Sequence, residues 1–416
     1  MDCANLMNTE IDPVLLKNFL QDQMPRALEL LKAMVGINSF TSNRDGVNQL
    51  GQLTAECFEE LGFEKEFVPS TNPAWGNHLS MLRRGRSTKS VVLIAHLDTV
   101  FPPEEELANA FHWQVEGDRA FGPGTLDIKG GTVMMWLVLT ALRAHAPRLF
   151  EEITWRLFWN SSEECLSTDF EGICRQRIGT DTVAALVFEA ENRSNGASLM
   201  VAARKGRFTW KVSVQGRGAH AGGNLKQGAN ALVQLARLVQ RIDSMTDFSR
   251  GLTFNVGRIE GGTVLNRVPH LAVAEGEFRA FSPDVCLQAR KALLALAGPG
   301  DLRSALDGYP CQVEVEITSE SRPWPKNPAT DALLKLWIDA AAEQGRTILP
   351  EERGGLSDGN TFWDIVPTLD GLGPWGDNDH CSERSPDGSK LPEFIEISSF
   401  VPKALINVVA IVRLLT

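Results

Sequence analysis

Apolar and polar positions follow two different rhythms along the chain. Leucines recur at helical spacing over residues 13–34, and Leu50, Leu53, Cys57, Phe58 and Leu61 form a second apolar stripe that Gly62 is placed to cap. Residues 91–95 (VVLIA) are then continuously apolar, the pattern of a strand buried on both faces. Residues 153–159 and 184–188 read as further buried strands, and a helix is predicted over 130–145, after a glycine turn. Buried strands separated by helices predict an open α/β sheet.

The rhythm changes in the middle of the chain. Trp210, Val212 and Val214 alternate with Lys211, Ser213 and Gln215, as in a strand with one exposed face. A helix over 229–242, strands near 252–259 and 271–279, a helix over about 285–296 and an alternating strand through Val313, Val315 and Ile317 follow. The order β-α-β-β-α-β is the ferredoxin-like arrangement. Helices resume over 329–343 and 398–415. The simplest account is an α/β domain built from residues 1–203 and 319–416, interrupted by an inserted α+β domain of residues 204–318.

Composition narrows the partners. Lys plus Arg is 41 against 52 Asp plus Glu, a formal charge of −11, which disfavours a nucleic acid partner because phosphate affinity comes from clustered cations. The chain is 43% hydrophobic and 22% charged, as expected of a globular fold. Seven scattered cysteines with no CxxC pair argue for reduced thiols in a cytoplasmic protein and against a thiolate zinc site. The opening MDCANLMNTEIDP lacks the basic and apolar regions of a signal peptide. The longest apolar run, 133–139 with Thr140 and Ala141 after it, is far short of the ~20 residues that span a bilayer, so no membrane partner is expected.

Chemistry concentrates at the ends of the apolar strands. His96 and Asp98 project to the same side where VVLIA ends, which suits a metal-binding imidazole and the acid that orients it. Asp127 lies in GPGTLDIKGG (residues 122–131), where it is equally an ordinary helix N-cap. Glu163 and Glu164 are adjacent carboxylates directly after a buried strand; like charges there repel, and a cation removes the difficulty. Phe188-Glu189-Ala190-Glu191 ends another apolar strand, and His380 closes a glycine-rich loop beginning at Asp370. Open α/β sheets build their sites at such strand ends. Two imidazoles and several carboxylates without thiolates suit zinc, with cobalt or manganese as alternatives. His78, His112, His145 and His270 match no motif and read as surface or capping residues.

Taken in order, HLDTV (96–100), GPGTLDIKGG, SSEE (161–164), Phe188-Glu189, GRGAHAGG (216–223) and DGLGPWGDNDH (370–380) resemble the successive motifs of the co-catalytic zinc exopeptidase and amidohydrolase family. That family includes glutamate carboxypeptidase, aminoacylase, acetylornithine deacetylase and succinyl-diaminopimelate desuccinylase. The resemblance implies two Zn²⁺ ions, one held by His96 and Glu189 and the other by Glu164 and His380, with Asp127 bridging. It implies that Asp98 orients His96, that Glu163 is the general base, and that the Asp127–Ile128 peptide is cis. It makes the inserted domain a dimerisation lid, so a homodimer is expected, in which His220 reaches the partner's active site with Asn266 nearby. Arg279 matches the arginine that holds the substrate's free carboxylate.

Three details depart from the family pattern. Ala190 stands where proline is frequent, which makes Glu191 a rival to Glu189; Glu189 is favoured because it directly ends the strand. Cys165-Leu166 replaces smaller residues, and Cys381 adjoins His380. The implied activity is hydrolysis of an amide bond in a small carboxylate-bearing substrate, a C-terminal residue of a dipeptide or conjugate or an N-acyl amino acid. The rival readings are a catalytically silent member that binds or regulates, and a hydrolase of a non-peptide amide.

Overall fold

The computed structural model describes residues 11–165, 167 and 169–416; Cys3, Leu166 and the opening residues lie outside them. The chain divides into two compact units, the first formed by Met1–Ala202, Lys326–Glu351 and Ser357–Thr416, the second by Ala203–Pro325 and Glu352–Leu356. The second unit thus runs past the expected end at residue 318 and takes in a short later segment.

The first unit is organised on a six-stranded sheet ordered Glu64–Val68, His78–Arg83, Thr154–Asn160, Ser90–His96, Thr182–Val187, Thr368–Leu369. The last four strands run parallel, and His78–Arg83 alone runs against its neighbours on both sides, so the sheet is mixed. Every residue of Ser90–His96 is buried, as its unbroken apolar sequence requires. Helix Pro13–Val35 starts on Asp12, whose carboxylate accepts from the amides of Val14 and Leu15 at 2.8 and 3.2 Å. It packs Leu16, Leu20, Ala27, Leu31 and Met34 into the same core as helices Gly130–His145 and Phe400–Leu415. The helical stretches Thr125–His145 and Ile397–Leu415 are long and apolar enough to cross a membrane by length and composition, but 94% and 67% of their apolar windows are buried in the unit. Their apolarity is that of core helices. A four-stranded sheet, Gly376–Asp377, Phe394–Glu396, Arg119–Phe121 and Gln114–Glu116, brings the chain near Asp127 beside the chain near His380.

In the second unit a five-stranded sheet is ordered Thr253–Gly261, Leu271–Ala280, Gly206–Gln215, Pro310–Ser321, Gly298–Arg303. Strand Gly206–Gln215 alternates buried and half-buried residues, and Phe208, Trp210, Val212 and Val214 share a core with helices Ala231–Asp243 and Pro283–Leu294. This is the ferredoxin-like order with one added edge strand. Trp324 is fully buried.

Candidate metal centre

Each candidate side chain stands just beyond the end of a sheet strand or on a segment pressed against one. His96 ends its strand; Glu163 and Glu164 follow Thr154–Asn160 by way of two buried serines; Glu189 follows Thr182–Val187. Asp127 precedes helix Gly130–His145, and the helix begins without a side-chain cap, so Asp127 is not spent on capping. A Cβ on Gly131 would stand 2.1 Å from the carbonyl oxygen of Phe188, so only glycine lets the segment come this close to the strand that supplies Glu189. The Asp127–Ile128 peptide is cis.

The geometry centres on Asp127. One of its oxygens lies 2.8 Å from Nε2 of His96, the other 3.3 Å from Nε2 of His380. Glu189 approaches Nε2 of His96 at 3.8 Å, and Glu164 approaches Nε2 of His380 at 3.4 Å. Among the described residues, two groups have donor atoms clustered closely enough to hold a metal ion: His96, Asp127 and Glu189, and Asp127, Glu164 and His380. Asp127 belongs to both. His380 itself has a φ of 61°, an unusual left-handed backbone for a residue with a side chain, as does nearby Asn378 at 63°.

Asp98 holds two parts of the site together. Its main-chain oxygen lies 3.0 Å from Nδ1 of His96, which leaves Nε2 toward Asp127. Its carboxylate accepts from the amides of Glu163 and Glu164 at 3.0 and 3.2 Å and from the Thr41 hydroxyl at 2.6 Å. The same loop is held by His78, which the sequence suggested as a surface or capping residue and which is buried. The Ser161 amide donates to Nδ1 of His78 at 3.1 Å, and Nε2 meets Asp169 at 3.3 Å.

Glu191 is occupied elsewhere. Lys403 meets it at 2.9 Å, Arg193 at 2.9 Å and the Ser198 hydroxyl at 3.0 Å, and both Glu191 and Lys403 are buried. Glu189, not Glu191, shares the group with His96.

Charge is crowded here. Burial, then Asp127, pushes Glu164 up to about 7, and burial with Asp358, Glu164 and Glu189 nearby pushes Glu163 well above the carboxylate range. Hydrogen bonds to Asp127 and Glu164 carry His380 up to about 11. Burial works against a charge on both Asp127 and His96, yet their mutual hydrogen bonds, with those of His380 and Asp98, hold Asp127 below and His96 above their ordinary values. Oε1 of Glu164 is buried with no hydrogen-bond partner. Protons balance this cluster on its own, and divalent cations would displace them. Carboxylates and imidazoles in two groups sharing one aspartate, with an orphaned carboxylate oxygen, fit a pair of such ions.

Two acids had no signal in the sequence. Asp358 is buried, accepts from the Asn160 side chain at 2.9 Å, and is raised by burial to about 7. Glu393 is buried, and burial followed by Asp127 raises it to about 8.

The remaining predicted residues belong to the second unit. His220 is exposed, and its Nδ1 accepts from the amides of Gly222 and Gly223 at 3.2 and 3.0 Å. Asn266 lies on the adjoining segment, its main-chain oxygen accepting from Ala221 at 2.9 Å. Arg279 donates from Nε to Glu277 at 2.7 Å and from one terminal nitrogen to the Gly354 carbonyl at 3.1 Å.

Residues 202–297 match the family model of a peptidase dimerisation domain. Carboxypeptidase G2 of Pseudomonas sp. strain RS-16 is 28% identical over 389 residues, covering 92% of this chain and 88% of its own. By these matches the chain is similar to the M20 metallopeptidases. Succinyl-diaminopimelate desuccinylase of Methylorubrum populi is 25% identical over 371 residues, 84% of this chain and 90% of its own. Among solved structures, aminopeptidase PepT from Bacillus cereus superposes with a TM-score of 0.72 at 18% identity, over 94% of this chain and 99% of its own. The Bacillus subtilis YXEP protein, a dinuclear metal-binding peptidase of the M20 family, superposes with a TM-score of 0.65 at 13% identity, over 95% and 99%. These two likenesses carry the fold.

Proposed function

We propose that this chain hydrolyses the amide bond of a small substrate bearing a free carboxylate, a dipeptide, C-terminal conjugate or N-acyl amino acid, with two zinc ions. Metal-dependent amide hydrolysis is the chemistry of its relatives, and no donor of the metal centre is replaced, so nothing favours a silent member. The observation that carries the reading is Asp127, which offers one oxygen to each of the two donor groups. His96, Asp127 and Glu189 would hold one ion, and Asp127, Glu164 and His380 the other. When bound, such ions supply Lewis-acid chemistry, polarising the amide carbonyl and acidifying water.

The chain's own residues supply the rest. Glu163 takes a proton from the attacking water and returns it to the leaving nitrogen. Asp98 keeps Glu163 in place through its amide and His96 through Nδ1. His220, supplied across a homodimer of the inserted domain, and Asn266 steady the developing oxyanion. Arg279 holds the substrate carboxylate, which a guanidinium grips better than an ammonium does. The scattered cysteines, with no CxxC pair, favour a cytoplasmic setting in this reading.

The test is a screen of dipeptides, N-acyl amino acids and C-terminal glutamate conjugates with zinc present. Turnover is expected on one of these classes, lost with a chelator and restored by zinc or cobalt. Hydrolysis insensitive to chelation would overturn the metal mechanism, and turnover of uncharged amides alone would overturn the substrate class.

A further inference from the structure

Glu393 joins the two halves of the metal centre without belonging to either donor group. It is fully buried, and one carboxylate oxygen accepts from two successive amides, those of Leu126 at 2.8 Å and Asp127 at 3.2 Å. The other oxygen is buried without a hydrogen-bond partner. Through its main chain, Glu393 donates to the Cys381 carbonyl at 2.7 Å and accepts from the Gly122 amide at 3.4 Å. One residue therefore touches the Asp127 segment at three points and the chain beside His380 at one. A displacement of the Asp127 main chain would move a carboxylate on which both groups depend.

Surface exposure explains none of this. An acid inside a protein costs several kcal/mol unless its environment repays it, and an apolar side chain in the same place would avoid that cost. The return on this one is two fixed amides at the shared aspartate.

We propose that Glu393 is a positioning residue that sets the main chain of Asp127 so that its two oxygens face His96 and His380 at once. The inference rests on the two-ion reading above. Outer groups that orient metal-binding residues change metal affinity by about 10–100-fold when removed. Glu393→Ala and Glu393→Met, the second preserving bulk without an acceptor, are expected to weaken zinc binding by about that factor. Glu393→Gln, whose amide oxygen can accept the same two N–H groups, is expected to restore most of it.

Zinc affinity is read by competition with a chromophoric chelator, and site geometry by the absorption bands of the cobalt-substituted protein. Thermal unfolding of the metal-free variants identifies those that fold. The expected result is weakened zinc binding and altered cobalt bands in a folded Met or Ala variant, both recovered in Gln. Unchanged affinity and bands in a folded Met or Ala variant would overturn the role, as would a Gln variant as impaired as Met. Wild-type protein that takes up no zinc would instead sink the two-ion reading itself.

Discussion

Two glutamates two residues apart should respond to the same substitution in opposite ways. Glu191→Gln leaves the Lys403 ammonium, whose side chain is 3% exposed, without its counter-charge. Breaking a buried pair from one side costs about 3–5 kcal/mol. Arg193 and Ser198 remain beside the new amide, which points to the lower end, about 3 kcal/mol. At about 2–4 °C per kcal/mol for a large domain, the metal-free protein should melt about 6–12 °C lower. Adding Lys403→Met should recover most of that loss, because replacing both charges removes the orphan. Zinc stoichiometry should stay at the wild-type value.

Glu189→Gln should do the reverse, melting within a degree or two of wild type while losing affinity for one ion. The pH dependence gives a second check. Lys403 and Arg193 outweigh burial and hold the Glu191 carboxyl below its ordinary value. A depressed carboxylate stabilises the fold above its unfolded pKa of about 4.3, and that stability is lost as pH falls through the lower folded value. The gap between wild type and Glu191→Gln should therefore close in acid. Differential scanning calorimetry and zinc titration read both quantities. A Glu191→Gln variant that melts like wild type yet loses an ion would refute the assignment of Glu191 to Lys403.

Three more outcomes are expected. Glu163→Gln should cut turnover by about 10²–10⁴-fold with zinc still bound; retention of most activity would remove Glu163 from the base role. Arg279→Ala should lower kcat/KM for substrates with a free carboxylate and spare their esters, whereas an equal loss on both would exclude carboxylate recognition. His78 is held below its ordinary value chiefly by burial, so the native state keeps it neutral while the unfolded chain takes a proton below about pH 6.5. The stability advantage of wild type over His78→Gln should shrink as pH falls from about 8 to about 5, and a constant gap would show that His78 does not titrate in this way.

The residues that could be read in the sequence are those placed by local pattern. His96 and Glu189 stand where unbroken apolar runs stop, and Glu164 shortly after a mostly apolar one; a strand buried on both faces can put its chemistry only at its ends. The inserted unit was legible for a similar reason, since alternation replaces continuous burial at residue 206. Glu189 and Glu191 could not be separated that way, because the deciding partner, Lys403, comes from the C-terminal helix. Asp358 in SDGN reads as a turn, and Glu393 in KLPEF as surface. Their burial arises from tertiary packing, which no local pattern encodes. His78 was misread on the same ground, being the first residue of a strand whose neighbours bury it.

The order of the donors along the chain bears on biosynthesis. His96, Asp127, Glu164 and Glu189 all precede Ala203, whereas His380 follows the whole inserted unit. The donors of one group, and all but the imidazole of the other, leave the ribosome before the insert is made, whereas Glu393, which accepts from the Asp127 amide, comes after His380. The second group closes only when nearly the entire polypeptide has emerged, together with the strand Thr368–Leu369 that ends the main sheet. On the two-ion reading proposed above, full metal loading is therefore a late event in the life of the chain. A product ending before His380 would lack that imidazole and with it the second donor group.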